Sequence, residues 1–172
     1  MQMKYKRQFR PFRSRYIFKL SLRDKEYKDK MSEVTIANSL KPFENEIFTS
    51  WIARNAVYNF LQPPTFINFF FVDYKNKLFN RDIDILLDRK KAEIFEKRML
   101  QNKGTIFNTS LQSYAGYLSE TITPNNRNSL ISNVKIKGSY PLLKGLKFCP
   151  KCLQEKDYFR KEWRLSFLYC MP

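Results

Sequence analysis

Three cysteines near the C-terminus place the strongest constraint on how this chain folds. Cys149 and Cys152 form a Cys-Pro-Lys-Cys turn, and Cys170 follows after seventeen residues. Such a turn puts two thiolates on one side of the backbone, and tetrahedral zinc needs two more ligands from a second turn. Cys170 begins such a turn, whose second ligand would fall at position 173, one residue past the last one given. The spacing predicts an incomplete C-terminal zinc ribbon that binds Zn²⁺ through Cys149, Cys152 and Cys170.

The cysteine count leaves other interpretations open. An odd number argues against a closed disulfide framework, so three thiols without a metal are the alternative to zinc. A thioredoxin-like redox pair is less favoured, because Pro150 and the charged residues after it do not indicate the long helix of that class. The chain contains no histidine, which excludes Ser-His-Asp and Cys-His catalysis. We therefore predict no catalytic residue and no enzyme activity.

The chain carries a large excess of positive charge. Its 32 Lys and Arg against 16 Asp and Glu give a net charge of +16. Such a surplus attracts polyanions, nucleic acid before an anionic membrane, and a solvated basic surface is the alternative. The most apolar run, Phe66 to Val72, is too short to span a bilayer, and no signal peptide is evident. We expect a cytoplasmic protein that binds nucleic acid and no membrane.

Helical spacing of apolar residues is clearest over residues 42–60. Pro42 lies near the start, and Glu44 and Glu46 would occupy the first turn, where the helix dipole favours acids. Arg54 would face outward from this helix. The core-facing residues would be Phe43, Ile47, Trp51, Ile52, Ala56 and Phe60. Trp51 is the expected core anchor, since a large aromatic on such a stripe is usually buried.

Three further segments also favour helices. Residues 61–72 predict a short buried helix after Pro63-Pro64, with a short strand as the alternative. Residues 80–101 are capped by Asn80 and are interrupted by the charged stretch 88–93. Residues 109–120 show helical spacing again. The fold class expected is mainly α, a small helix-turn-helix-like domain followed by the incomplete zinc ribbon.

Composition divides the chain into four parts. Residues 1–38 form a basic arm with interleaved aromatics, and 39–120 are the helical domain. Residues 121–147 lose helical periodicity and contain Lys and Arg but no acid between 121 and 148, which indicates a basic linker. Residues 148–172 hold the cysteine module, in which the alternation of Trp163, Leu165 and Phe167 suggests a strand.

Cations near these motifs are the expected contacts to nucleic acid. A basic linker and arginines beside a zinc turn are suited to neutralise phosphates. The residues predicted to bind nucleic acid are Arg54, Lys135, Lys137, Lys144, Lys147, Arg160 and Arg164.

Two end motifs resemble one known family. The stretch FCPKCLQEKDYFRKEWRLSFLYCMP is similar to the zinc-finger segment of TniQ proteins, and KPFENEIFTSWIARNA is similar to their opening motif. NRDID and TSLQSYAGYL also match elements of that family, so the likeness covers about residues 40–172. The family usually continues with a Cys-x-x-His turn and a further finger. This sequence lacks both, which resembles the N-terminal TniQ domain alone.

The resemblance implies an accessory role in DNA transposition. TniQ and TnsD proteins bind target DNA or a DNA-bound effector complex, which can be RNA-guided, and help recruit a regulator ATPase and the transposase. They do not cut DNA themselves, and a homodimer is left open. The alternatives are a zinc-ribbon and helix-turn-helix transcription regulator, or a metal- or carboxylate-dependent nuclease. Neighbouring transposase and ATPase genes would separate the first of these from the second.

Overall fold

A computed structural model describes residues 35–71, 82–123, 130–132 and 147–168. Within these ranges the helices are α1 (Phe48–Tyr58), α2 (Pro63–Phe70), α3 (Ile83–Leu86), α4 (Arg89–Arg98) and α5 (Pro150–Glu155). Short 3-10 helices span Phe107–Thr109, Leu111–Tyr114 and Lys161–Arg164. Pairing between extended residues in these ranges is limited to isolated bridges, without a strand. The prediction of a mainly α protein is therefore confirmed.

The first helix begins six residues later than the apolar spacing predicted. Residues 43–46 form a turn in which the Glu46 amide donates to the Phe43 carbonyl at 3.2 Å. Asn45 has a φ of 57°, a left-handed conformation that cannot continue an α-helix. Glu44 and Glu46 therefore precede α1 instead of occupying its first turn. The prediction of a core-facing side chain is wrong for Phe43 and Phe60, which are 49% and 98% exposed, whereas Trp51 is fully buried as expected.

The second helix confirms its prediction. Pro63 occupies the first position of α2, where its missing N–H has no intrahelical acceptor to lose. Phe66 and Ile67 are buried in a core shared with α1 and α4. At the centre of that core Phe95 stacks on Phe71 with ring centroids 3.9 Å apart and meets the edge of Phe48 at 5.0 Å.

The segment after residue 82 divides into two helices, as the charged stretch predicted. Leu87 ends α3, and the Asp88 carboxylate accepts from the Lys91 amide at 2.9 Å to cap α4. Phe95 is fully buried on this helix. The prediction failed for Ile94 and Leu100, which are exposed because they lie on the outer face and beyond the helix end.

Residues 107–114 adopt 3-10 turns, where an α-helix was predicted. The hydroxyls of Thr109, Ser110 and Ser113 each donate to the carbonyl three residues earlier, at 2.7, 2.8 and 2.7 Å. Such bonds compete with helix formation. Ser110 also takes an extended ψ of 157° between the two turns. Leu111 still reaches the core that apolar spacing assigned to it.

The C-terminal segment packs directly on the helical body. Leu165 pairs with Ile131 in an isolated bridge, and both join a second core with Ile85, Leu111 and Ile122. The Ile47 amide donates to the Phe159 carbonyl at 2.9 Å. The predicted strand at 163–167 is replaced by a 3-10 helix followed by this single bridge, and Phe167 is exposed. The domain bounds themselves stay a prediction.

Candidate functional site

Glu46 organises the start of α1 and holds Arg54. Its buried carboxylate accepts from the Arg54 Nε at 2.8 Å, from the Arg54 Nη2 at 2.7 Å and from the Ser50 hydroxyl at 3.0 Å. The Phe43 amide donates to the same carboxylate at 2.9 Å. Arg54 also stacks on the Phe43 ring at 3.9 Å. Arg54, predicted to face outward, is therefore committed to a bidentate internal ion pair.

Trp51 fixes the chain before α1. Its indole Nε1 donates to the Leu40 carbonyl at 2.8 Å, and the Leu40 amide donates to the buried Asn55 side chain at 2.8 Å. The Asn55 amide group in turn donates to the Trp51 carbonyl at 2.9 Å. Leu40 is thus held through both of its backbone groups, which locks residues 38–41 beside α1.

Arg164 lies in the interior between the C-terminal segment and α3. It is fully buried and forms ion pairs with Asp82 and Asp84. Its Nε also donates to the Ser132 carbonyl at 2.8 Å. The prediction that Arg164 contacts phosphate needs correction, because a guanidinium with no exposed surface and three internal acceptors cannot meet a phosphate in this fold.

Asp84 connects this cluster to α1. Its carboxylate accepts from the Thr49 amide at 2.9 Å and the Thr49 hydroxyl at 3.1 Å, in the first turn of α1. The pKa of Asp84 is raised to about 6, mainly by burial and also by the neighbouring Asp82 charge, which together outweigh the lowering by Arg164 and by the Thr49 hydrogen bonds. Two carboxylates thus share one guanidinium in a water-excluded position.

A second buried cation faces the 3-10 turns. Lys161 donates from Nζ to the Ser113 hydroxyl at 2.9 Å and lies 4.8 Å from the centre of the Tyr114 ring. Burial lowers the pKa of Lys161, although the nearby Glu162 carboxylate raises it. The lysine joins the C-terminal segment to residues 111–114, in the same way that Arg164 joins it to α3.

The cysteine turn begins α5. Cys149 lies at the N-cap of α5, and the Cys152 amide donates to the Cys149 sulfur at 3.4 Å. An N–H directed at sulfur stabilises a thiolate, the form that binds metal. This contact therefore favours the thiolate of Cys149, one of the predicted zinc ligands. Cys170 lies outside the described residues, and those described contain no group of three metal-binding side chains. Zinc stays a prediction.

The remaining predicted cations differ in their placement. Arg160 is half-buried, with its guanidinium 5.7 Å from the centre of the Tyr158 ring. Lys147 donates to the Ser166 carbonyl at 2.9 Å. Lys135, Lys137 and Lys144 lie outside the described residues. Exposed cations that were not singled out from the sequence include Lys41, Arg89, Lys90, Lys97, Lys103, Lys151 and Lys156.

The residues that pair across the fold lie in a region that also matches a known family. The sequence model of the TniQ family matches residues 38–171, most of the chain. The chain belongs to the TniQ family. No curated protein and no solved structure matches the chain.

The motifs shared with TniQ contain residues that contact one another inside the fold. The Glu46, Ser50 and Arg54 of the opening motif form one buried network, and Asp82 and Asp84 of NRDID pair with Arg164 of the C-terminal motif. These motifs therefore hold the TniQ fold together. The acids at positions 82 and 84 were visible in the sequence, but no local pattern marked them as partners of Arg164.

TniQ is an accessory family of DNA transposition and is not a catalytic one, so membership associates this chain with an accessory role in that process. None of the helices in the described ranges is both long and apolar enough to cross a membrane.

Proposed function

We propose that this TniQ chain binds target DNA, or an effector complex already on DNA, and helps recruit the transposition ATPase and transposase. Family membership over residues 38–171 is the observation that carries the proposal. An RNA-guided effector complex belongs to the same class of partner. The chain would act by binding alone, which fits a family without catalysis.

The distribution of charge supports DNA contacts outside the described residues. The described residues contain fourteen Lys and Arg against eleven Asp and Glu, a net charge of only +3. The other residues hold eighteen Lys and Arg against five acids. Counterion release makes such clusters the main source of affinity for a nucleic-acid backbone. Residues 1–34 and the segment with Lys135, Lys137 and Lys144 are therefore the proposed phosphate contacts.

The half-exposed Arg160 is proposed as an additional phosphate contact at the edge of the cysteine module, and Lys147 lies nearby in sequence. Arg54 and Arg164 are omitted from this set because both are engaged in internal ion pairs. We further propose that Cys149, Cys152 and Cys170 bind one zinc ion, which would fix the C-terminal end of the module.

A transposition assay in cells tests the recruiting role. The transposase and ATPase encoded beside this gene would be expressed with a donor plasmid, with and without this chain. Loss of insertion at the specific target when the chain is omitted is the expected result. Unchanged insertion, or the absence of transposition genes beside this one, would contradict the proposal and favour a transcription regulator.

Loss of function in that assay needs a matched control. Lys135→Gln, Lys137→Gln and Lys144→Gln together should reduce both DNA affinity and insertion. Lys90→Gln with Lys97→Gln, two exposed positions on α4, should leave both nearly unchanged. Equal losses in the two variants would mean that total charge matters and that the proposed segment has no special part.

A further inference from the structure

A small polar pocket lies where the turn before α1 meets the C-terminal segment. Its volume is about 170 Å³, and it is lined by Glu44, Asn45, Lys156, Tyr158 and Arg160. Since one water occupies about 30 Å³ in the liquid, this space fits a group of about five or six heavy atoms. A phosphate group, with one phosphorus and four oxygens, is of that size.

Hydrogen bonds hold the two sides of the polar pocket together. The Tyr158 hydroxyl donates to the Glu44 carbonyl at 3.1 Å, and the Lys161 amide donates to the Asn45 carbonyl at 2.8 Å. The pocket is therefore bordered by backbone that the fold already fixes on both sides. A ligand would meet a site that is formed before it binds, which is typical of small-ligand sites.

Arg160 brings a guanidinium with unused donors to this pocket. Its backbone is fixed by an isolated antiparallel bridge with Glu46. Its side chain lies 5.7 Å from the centre of the Tyr158 ring, and within the described ranges it forms no ion pair. Arg54 and Arg164 differ, because internal carboxylates accept from both. The planar fork of an arginine matches the oxygens of a phosphate, so Arg160 is suited to bind one.

Lys156 and Asn45 add further donors. Lys156 is exposed, and among the residues that the structure describes it pairs with no carboxylate. Asn45 is exposed with a φ of 57°, a conformation that glycine and asparagine tolerate best. Unlike glycine, asparagine carries an amide group with two N–H donors. Two cations and one amide therefore border the same small space.

The charge of the polar pocket indicates which kind of anion it fits. Glu44 also lines it, so two cations and one carboxylate give a net charge of +1. A phosphodiester of a nucleic-acid backbone carries a single negative charge. A phosphomonoester, as on a phosphorylated side chain, carries about 1.5 to 2 negative charges at pH 7. The diester balances the pocket, whereas the Glu44 carboxylate would repel the additional charge of a monoester.

We propose that the polar pocket binds one phosphodiester group of a nucleic-acid backbone. Arg160, Lys156 and Asn45 donate to its oxygens, and Glu44 limits the charge that the pocket accepts. The inference rests on the proposed function, in which the chain binds DNA, and it deepens that function by assigning a defined phosphate site to the described residues.

Titration of the full chain with dimethyl phosphate, followed by NMR, tests the site without DNA. The side-chain N–H signals of Arg160 and Asn45 should shift and saturate. Methyl phosphate, which is mostly dianionic at pH 7.5, should bind more weakly. Glu44→Gln should improve the affinity for methyl phosphate more than that for dimethyl phosphate, because repulsion increases with the charge of the ligand. Glu120→Gln, at an exposed position outside the pocket, is the matched control and should change neither.

Binding of duplex DNA tests whether the pocket holds one phosphate. Lys156→Gln with Arg160→Gln should make the slope of log K against log salt less steep by about 0.9, the value for a single contact. Lys103→Gln with Lys151→Gln removes the same charge from exposed positions outside the pocket and should leave the slope nearly unchanged. Arg160→Lys keeps the charge without the planar fork, so it should keep the slope but weaken the affinity.

Several outcomes would overturn the inference. These are dimethyl phosphate that shifts neither side chain, methyl phosphate that binds more tightly than the diester, and a slope change of about 1.8, which would indicate two separate contacts. Saturable binding of dimethyl phosphate together with a failed transposition assay would reject only the proposed function. An active transposition system in which Lys156→Gln with Arg160→Gln leaves the DNA slope unchanged would reject only the phosphate site.

Discussion

Arg54 and Arg164 show how the fold handles buried charge. Each guanidinium is bound by carboxylates that lie on a different turn or element, Glu46 for the first and Asp82 with Asp84 for the second. Burial of an arginine is tolerated only when its donors are satisfied, and removal of one partner leaves an uncompensated charge. Both arginines are therefore bound by partners within the fold.

Replacement of Arg164 should therefore be costly. Arg164→Met should lower the free energy of unfolding by about 3–5 kcal/mol, because Asp82 and Asp84 lose their shared cation in the interior. Urea unfolding followed by circular dichroism measures this. Arg160→Met is the matched control, since Arg160 is half-buried and its cation–π contact with Tyr158 should be worth about 1 kcal/mol or less. Equal destabilisation by both changes would contradict the buried ion cluster.

The raised pKa of Asp84 makes stability depend on pH. Its pKa is about 6 in the folded chain, against the ordinary value of 3.8. The folded state therefore favours the protonated form, and this contribution is fully present below pH 3.8 and is lost as pH rises through 6. Asp84→Asn keeps an acceptor for Thr49 but cannot titrate. Its free energy of unfolding relative to wild type should rise between pH 4 and 6 in urea titrations.

Asp88 supplies a control of opposite sign. Burial raises its pKa, but the hydrogen bonds and charge of Lys91 outweigh this and the net pKa is lowered. Asp88 therefore stabilises the fold above its ordinary pKa, and that contribution disappears as pH falls. The free energy of unfolding of Asp88→Asn relative to wild type should increase as the solution is acidified. Parallel pH profiles for the two variants would contradict the cause assigned to Asp84.

At the level of elements, two helices end in the same strained motif. Phe60 after α1 and Leu100 after α4 both have positive φ, and the Gln101 amide bonds to the Glu96 carbonyl as Leu61 does to Ala56. A left-handed residue with a Cβ costs about 1–2 kcal/mol relative to a favourable conformation. Apolar spacing predicted helix where these breaks occur, because periodicity reports hydrophobic faces and is blind to backbone conformation.

Phe60→Gly should consequently stabilise the fold. The expected gain in unfolding free energy is about 1 kcal/mol, since glycine adopts positive φ without strain and the 98% exposed ring loses no packing. Leu100→Gly should show a similar gain. Urea unfolding measures both, and a destabilised Phe60→Gly would mean that the ring packs against the fold in solution.

The element predicted to bind a cofactor is the cysteine turn at the start of α5. Zinc added to chelator-treated chain should raise the midpoint of thermal unfolding, because a ligand that binds only the folded state stabilises it by mass action. Cys152→Ser should abolish the rise, since Cys152 is one of the three predicted zinc ligands. An unchanged midpoint in the wild type would contradict the predicted zinc site.

The sequence predicted the elements better than the contacts between them. The burial of Trp51 and the break between helices at the charged stretch 88–93 followed from the sequence alone, whereas the Asp88 cap of α4 was not predicted. The pairing of Arg164 with Asp82 joins residues 82 positions apart, which no local pattern reveals. The high positive charge of the chain also led to the prediction that Arg54 and Arg164 contact phosphate. The motifs that carry the family resemblance contain these arginines, and the structure shows that their partners are internal carboxylates.

For the whole molecule, positive charge is unevenly distributed along the sequence. The described residues have a net charge of +3, while the chain as a whole has +16. Residues 1–34 alone contain eleven Lys and Arg against four acids. The proposed contacts with DNA are therefore expected mainly outside the described residues.

The dependence of DNA affinity on salt tests which residues contact DNA. Each phosphate contact contributes a slope of about −0.9 to log K against log salt on duplex DNA. Lys135→Gln, Lys137→Gln and Lys144→Gln together should therefore make the slope less steep by about 2–3, measured by fluorescence anisotropy between low and physiological salt. Lys90→Gln with Lys97→Gln should change it by less than about 1, because these lysines share the α4 face with Glu93. A larger change from the α4 pair would place the DNA contacts on the described residues and would contradict the proposed role of the segment with Lys135, Lys137 and Lys144.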